Sequence, residues 1–319
     1  KNILVTGGCG FIASNFLNYM IKKYDRYNFI NIDAMYYCAN EKHILKSNRN
    51  KKNYKFIKGT IQNRELIDFI LRENKIDTIV HFAAQSHVDN SFSNPIQYTK
   101  DNILGTHILL EATREYGKID KFIHVSTDEV YGESICQETD IKNEKSILNP
   151  TNPYAATKAS AEMLVNSYVY SYGLPVIITR GNNVYGPRQY PEKLIPKFIN
   201  LLLENKKCTI HGQGETERSF LYVDDVVKAF ETILSKGKIG EIYNIGTNYE
   251  YSVMEITRRL VKLIHNCDMN EDRHFKKYIE FVEDRKYNDK RYNISFNKLL
   301  SLGWKQETFI DDGLKKTLE

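Results

Sequence analysis

Short apolar runs alternate with longer amphipathic stretches through the first half of the chain. Asn2 to Val5 reads as a strand. The turn Thr6-Gly7-Gly8-Cys9-Gly10 follows, and then Ile12, Phe16, Leu17, Met20 and Ile21 recur at helical spacing. Phe29 to Ile32 is a second strand, ending in Asp33. Strands are predicted again at Tyr54–Ile57, Thr78–Phe82, Phe122–Val125 and Val176–Thr179. Helices are predicted at Asn63–Glu73, with Leu66, Ile67, Ile70 and Leu71 inward, and at Asp101–Tyr116 and Tyr154–Tyr172. Strands this apolar, each followed by a helix, are buried on both faces, which predicts an α/β fold with a doubly wound parallel sheet.

Past Arg180 the rhythm changes. Asn182 to Pro187 is turn-rich. Pro191 opens a helix to Leu203, and Val223–Leu234 is another. Ile242–Ile245 is a short strand, and Phe309–Leu318 a last helix. Ser252–Ile264 is a helix whose Ser252 and Glu255 form a capping box. Residues 1–180 are therefore expected to form a Rossmann-type domain, with 220–247 returning to it, and 181–319 a smaller, mixed substrate domain. The second part looks too short and irregular for a large core of its own and is expected to pack on the sheet like a lid.

Composition narrows the class. A chain of 319 residues with 41% hydrophobic and 27% charged residues suits a globular protein. Net charge is only +5. The densest basic stretch, Lys42 to Lys58, is Asn-rich and reads as a solvated loop, so no nucleic-acid partner is expected. The 5 cysteines are scattered and odd in number, with no paired spacing for a disulfide framework or for zinc. No apolar run reaches membrane-spanning length and the first element is a strand, so the expectation is a cytoplasmic protein with no metal and no membrane partner.

Two stretches carry chemistry. Gly7 and Gly10 let the backbone approach a pyrophosphate, Ala13 permits close helix packing, and the helix N-terminus supplies N–H groups. Asp33, after the second strand, can accept hydrogen bonds from both ribose hydroxyls and would repel a 2′-phosphate, which favours NAD over NADP. Ser126-Thr127-Asp128-Glu129-Val130-Tyr131-Gly132 leaves the end of a central strand, where open parallel sheets bind ligands. Neighbouring strand residues face opposite ways, so Asp128 and Glu129 share one substrate only if the chain bends there. Two carboxylates in different surroundings can act as acid and base. Tyr154 and Lys158, one helical turn apart, share a face. An ammonium and a cofactor's positive ring would lower the tyrosine's pKa toward that of a general base.

Thr6 to Ala13, Ser126 to Gly132 and Tyr154-x-x-x-Lys158 together resemble the extended short-chain dehydrogenase/reductase superfamily. Thr127 to Gly132 resembles its nucleotide-sugar 4,6-dehydratases. Ala84 to Asp89, Asn152-Pro153-Tyr154, Asn182 to Pro187, Pro191 to Pro196, Arg218 to Tyr222 and Asp284-Arg285 support the likeness, which spans nearly the whole chain. Arg180 to Pro187 and Tyr190 to Lys193 look most like enzymes acting on UDP-glucose, with those acting on dTDP-glucose close behind. The resemblance implies bound NAD contacted by Gly7, Gly10, Phe11, Ile12, Asp33, Thr60, Ile61, Phe82, Ala83, Ala84, Ser86, Asp101, Tyr154 and Lys158. It implies that Ser86, Thr127, Asn183, Lys193, Arg218 and Arg285 hold a nucleoside-diphosphate-glucose. Tyr154, with Lys158 and Thr127, would deprotonate the sugar's C4 hydroxyl as hydride leaves C4. Glu129 would remove the C5 proton and Asp128 protonate the departing C6 hydroxyl. The hydride would then return to C6, giving the 4-keto-6-deoxy sugar of a rhamnose-type pathway. A homodimer through the helices near Asp101–Tyr116 and Tyr154–Tyr172 is also implied. One departure stands out: the acid usual after the third strand, where it would meet adenine, is replaced by Gly59-Thr60-Ile61. The alternatives are a C4 epimerase or decarboxylase of the same superfamily, which would lack the Asp128-Glu129 pair, and a non-catalytic NAD-binding protein.

Overall fold

The computed structural model describes residues 1–134, 140–266, 275–283 and 291–319. Seven strands build its main sheet: β1 Asn2–Thr6, β2 Asn28–Asp33, β3 Tyr54–Lys58, β4 Thr78–His81, β5 Lys121–Thr127, β6 Val176–Gly181 and β10 Ile242–Ile245. Their order is β10-β6-β5-β4-β1-β2-β3, and every pairing is parallel. The chain winds outward from β1 to β3, then crosses to β4 and winds the other way. The carboxyl ends of β1 and β4 therefore flank the switch point where such sheets open a crevice.

Both faces are covered, as the apolar strands require. On one face Phe16, Leu17 and Met20 of the helix Phe11–Lys23 pack with Val226, Phe230 and Ile233 of the helix Val223–Lys236. On the other, Ile67, Ile70 and Leu71 pack with Leu109, Val165 and Tyr168 of the helices Gly105–Tyr116 and Pro153–Tyr172. The helix expected from Asp101 begins earlier, because Pro95 starts a helical turn and a π-helical turn, Thr99–Leu104, carries it into Gly105.

Three expectations need correction. Asn182–Pro187 contains a strand, β7 Asn183–Tyr185, which pairs parallel with β9 Glu217–Tyr222, itself antiparallel to β11 Glu250–Ser252. With β8 Cys208–His211 beside β12 Ile279–Val282, the second half forms two small sheets. That half also has its own core: Ile195, Phe198, Leu202, Phe220, Ile256 and Leu260 pack together there. Finally, the Lys/Asn stretch is not a solvated loop throughout. Ile44 is fully buried. Asn18 donates to the His43 carbonyl at 2.8 Å and accepts from the Leu45 N–H at 2.9 Å, pinning the segment to the first helix. Among the described residues no helix is long and apolar enough to cross a membrane.

Candidate active site

The cleft at the switch point begins with a close approach of two backbones. Gly7 has φ +70°, and a Cβ there would lie 2.7 Å from the Ala83 Cα at the end of β4. Only glycine fits this approach. The Gly10 N–H donates to the Gly7 carbonyl at 3.1 Å, and Gly10, Phe11 and Ile12 line the cleft, so the positive end of the following helix, with no acid in its first turn, lies at the cleft. Asp33 ends β2. One carboxylate oxygen accepts the Cys9 N–H at 2.9 Å and the other the Met35 N–H at 2.7 Å. Each oxygen keeps a further lone pair for a ribose hydroxyl. Burial raises the Asp33 pKa, and the two N–H groups pull it back down.

Gly7, Gly10, Phe11, Ile12, Asp33, Thr60, Ile61, Phe82, Ala83, Ala84, Ser86 and Asp101 all line this one cleft, which also takes in Thr127, Glu129, Tyr154 and Lys158. A path thus runs from a glycine turn and ribose acceptor to a tyrosine and lysine, the order an extended dinucleotide needs.

The bend required after β5 is present. Asp128–Tyr131 is a single 3₁₀ turn closed by Gly132 at φ +76°, where a Cβ would meet the Asn149 carbonyl oxygen at 2.3 Å. Within the turn Thr127 Oγ1 accepts the Glu129 N–H at 3.3 Å and donates to Asp128 Oδ1 at 3.2 Å. The Thr127 hydroxyl also stands close enough to Tyr154 to lower the pKa of its phenol. Asp128 is 2% exposed. Its Oδ2 accepts from Asn182 Nδ2 at 2.6 Å, and the Asn182 oxygen accepts the Thr247 N–H at 3.2 Å, which fixes the amide's orientation. Asp128 itself does not line the cleft, but both its partners, Thr127 and Asn182, do, so its carboxyl stands directly behind the cleft wall and not on the far side of the sheet.

Asn152 couples the second pair to the first. Its oxygen accepts the Ala155 N–H at 2.8 Å, capping the helix that carries Tyr154 and Lys158, while its Nδ2 donates to Glu129 at 3.1 Å. Lys158 Nζ donates to the Val125 carbonyl at 2.6 Å.

The electrostatics separate the groups. Burial, then the charge of Glu129, pushes the Asp128 carboxyl up to about 7, against the hydrogen bonds from Asn182 and Thr127 and the charge of Arg218. Burial pulls Lys158 down to about 8, opposed by Glu162. The expectation of a lowered Tyr154 pKa fails for the protein alone: burial and then Glu129 push the phenol well above its usual value. Any lowering must come from positive charge brought close in the loaded site.

The substrate candidates divide. Ser86, Thr127, Asn183 and Lys193 line the cleft, and Lys193 Nζ donates to the Ser86 carbonyl at 3.2 Å. Arg218, on β9, lies outside the lining; it donates to the Glu217 carbonyl at 2.8 Å and lies over the Tyr292 ring at 5.1 Å. Its charge still reaches Asp128. Arg285, with Asp284, lies outside the described residues. Sequence reading missed Asn152 and Asn182 as site residues. An Asn directly before a Pro at a helix start is a cap signal that was available for Asn152; Asn182 opens a stretch that supported the likeness, but nothing in it pointed to a bond with Asp128.

A nucleotide-type cleft at a switch point, with Tyr154 and Lys158 on one helix and Thr127, Asp128 and Glu129 on the facing strand end, defines the extended short-chain dehydrogenase/reductase class. The family described as GDP-mannose 4,6 dehydratase matches residues 4–317, and the chain belongs to it. A dTDP-D-glucose 4,6-dehydratase of Dictyostelium discoideum is 47% identical over 99% of this chain and 80% of its own length. A trifunctional UDP-glucose 4,6-dehydratase/UDP-4-keto-6-deoxy-D-glucose 3,5-epimerase/UDP-4-keto-L-rhamnose-reductase of Arabidopsis thaliana is 51% identical over the whole chain, which spans 47% of that relative. The crystal structure of a dTDP-glucose 4,6-dehydratase from Bacillus anthracis in complex with NAD superposes with a TM-score of 0.89 at 40% identity, covering 99% of this chain and 95% of that one.

Proposed function

We propose that this chain is an NAD-dependent nucleoside-diphosphate-glucose 4,6-dehydratase, with UDP-glucose its first substrate and dTDP-glucose its second. The observation that carries the reading is the position of Thr127: its hydroxyl bonds Asp128 and the Glu129 N–H, and Thr127, Glu129 and Tyr154 line the same cleft. A plain alcohol oxidation needs Tyr154 and Lys158 alone. The adjacent acids add an elimination.

Tyr154 takes the C4 hydroxyl proton, steadied by Thr127. Lys158 lines the same cleft with its ammonium held on the Val125 carbonyl, and the positive charge that lowers the phenol comes with the loaded site. The glycine turn and Asp33 would hold NAD, which would supply the acceptor for the C4 hydride and the hydride that returns to C6. The C4 ketone acidifies C5–H, and Glu129 removes that proton. Asp128 gives its proton to the C6 oxygen, and water departs. The two acids are coupled. The charge of Glu129 helps keep Asp128 protonated near pH 7. Once Glu129 has accepted the C5 proton that charge is gone, and Asp128 becomes the stronger acid at the step that needs it. Lys193 and Asn183, and from outside the cleft lining Arg218, are the groups of suitable chemistry for a diphosphate.

Incubation with UDP-glucose, dTDP-glucose and UDP-galactose tests this. The two glucose nucleotides are expected to give a 4-keto chromophore in alkali. Interconversion of UDP-galactose and UDP-glucose without that chromophore would make the chain an epimerase. We further propose a homodimer joined across the outer faces of Pro95–Tyr116 and Pro153–Tyr172, where Ile96, Leu104, Met163 and Tyr170 are exposed. Sedimentation is expected to give twice the chain mass, and Met163→Glu to give the monomer.

A further inference from the structure

Asp101 sits in the π-helical turn Thr99–Leu104 and is 7% exposed. Its Oδ1 accepts from Gln62 Nε2 at 2.5 Å and from the Tyr36 hydroxyl at 3.2 Å. Its Oδ2 accepts from Gln85 Nε2 and from Gln97 Nε2, each at 3.0 Å. A carboxylate has about four lone-pair sites, so all are used. No site remains for a ligand. Asp101 instead joins the loops after β2, β3 and β4 at one end of the cleft.

That arrangement settles the orientation of Gln62. A carboxylate only accepts, so the Gln62 atom facing Asp101 is the amine, and its carbonyl oxygen points elsewhere. Nothing among the described residues donates to that oxygen, and Gln62 lines the cleft. The position matters. Asp33 ends β2, and β3 is the next strand outward and the sheet's edge. A dinucleotide whose ribose meets Asp33 therefore lays its base against the loop after β3, which is Thr60-Ile61-Gln62. Thr60 occupies the place of the missing acid, and its hydroxyl accepts the Gln62 backbone N–H at 3.2 Å.

We propose that the Gln62 carbonyl oxygen is the acceptor that reads the 6-amino group of adenine, and that Asp101 is a positioning residue that holds Gln62 in that orientation. The proposal rests on the cofactor reading above and deepens it. It reassigns Asp101 from cofactor contact to clasp.

Equilibrium dialysis tests it without turnover. The protein is compared for NAD and for nicotinamide hypoxanthine dinucleotide, whose 6-oxo group would set acceptor against acceptor. The wild-type chain is expected to hold NAD about tenfold more tightly, the effect of one unmatched hydrogen bond. Gln62→Leu is expected to bring the two affinities within about twofold. Asp101→Asn, which turns an amine toward some of the present donors, is expected to shrink the preference with no change in the circular dichroism spectrum. Equal wild-type affinities overturn the proposal even if Gln62→Leu does not fold. A preference unchanged in Gln62→Leu overturns it as well, and one unchanged in Asp101→Asn overturns the clasp. A wild-type chain that binds neither dinucleotide overturns the cofactor reading and this proposal with it.

Discussion

Asp128 shows how much of this site is set by single side chains. Its carboxyl is shut away, holds one amide donor from Asn182 and stands beside Glu129, so burial and like charge keep its proton on near neutrality. As the acid of the elimination it must be protonated. The turnover rate is therefore expected to fall as pH rises through about 7, and Asp128→Asn to lose at least a hundredfold and to flatten that limb. Stability follows the same sign. The folded state binds this proton more tightly than the unfolded chain, so the contribution is full below the unfolded carboxylate value and is lost as pH rises through about 7. The thermal midpoint of the wild type relative to Asp128→Asn is expected to drop between pH 4 and pH 7, read by circular dichroism melts. Glu129 has a separate signature. In heavy water the product is expected to carry deuterium at C5, and Glu129→Gln to abolish both product and C5 exchange, read by proton NMR.

At the scale of elements, the site is a strand end facing a helix start, and both were legible in sequence. The strand is apolar until Ser126, and its polar end has to face the cleft. The helix opens with Asn152-Pro153, a cap and a preset first turn. What fixes the two together was not legible. Arg180 of β6 pairs with Glu162 of the helix, and its Nη1 donates to the Tyr131 hydroxyl at 2.8 Å, locking the turn that holds Asp128 and Glu129. Arg180 and Glu162 are 3% and 0% exposed. A buried ion pair between positions far apart in the chain has no local pattern. Glu162→Gln leaves the guanidinium buried without a counter-charge and is expected to cost about 3–5 kcal/mol in urea unfolding. The small strands were hidden for another reason. β7 and β11 have 3 residues each, too few to show a period of two. β8 finds its partner β12 about 70 positions away, at Cys208↔Ile279.

At the scale of the molecule, the apolar residues of the second half fall in short, irregular segments, so a core there is hard to see in the sequence. Folding gathers them into a core of their own. The cleft is lined by residues of both halves, from Gly7 to Lys193. A dinucleotide at one hundred times its dissociation constant adds about 2.7 kcal/mol to the folded state. NAD is accordingly expected to raise the thermal midpoint by several degrees, and hypoxanthine dinucleotide at equal concentration by less.

Thr127 closes the circle between redox chemistry and water loss. Because its lone hydroxyl serves the phenol and the first acid alike, a lineage drifting from this activity toward simple inversion at C4 has little freedom there. Selection would have to spare the threonine and rewrite the next two codons, so the history of such a switch is to be sought at positions 128 and 129.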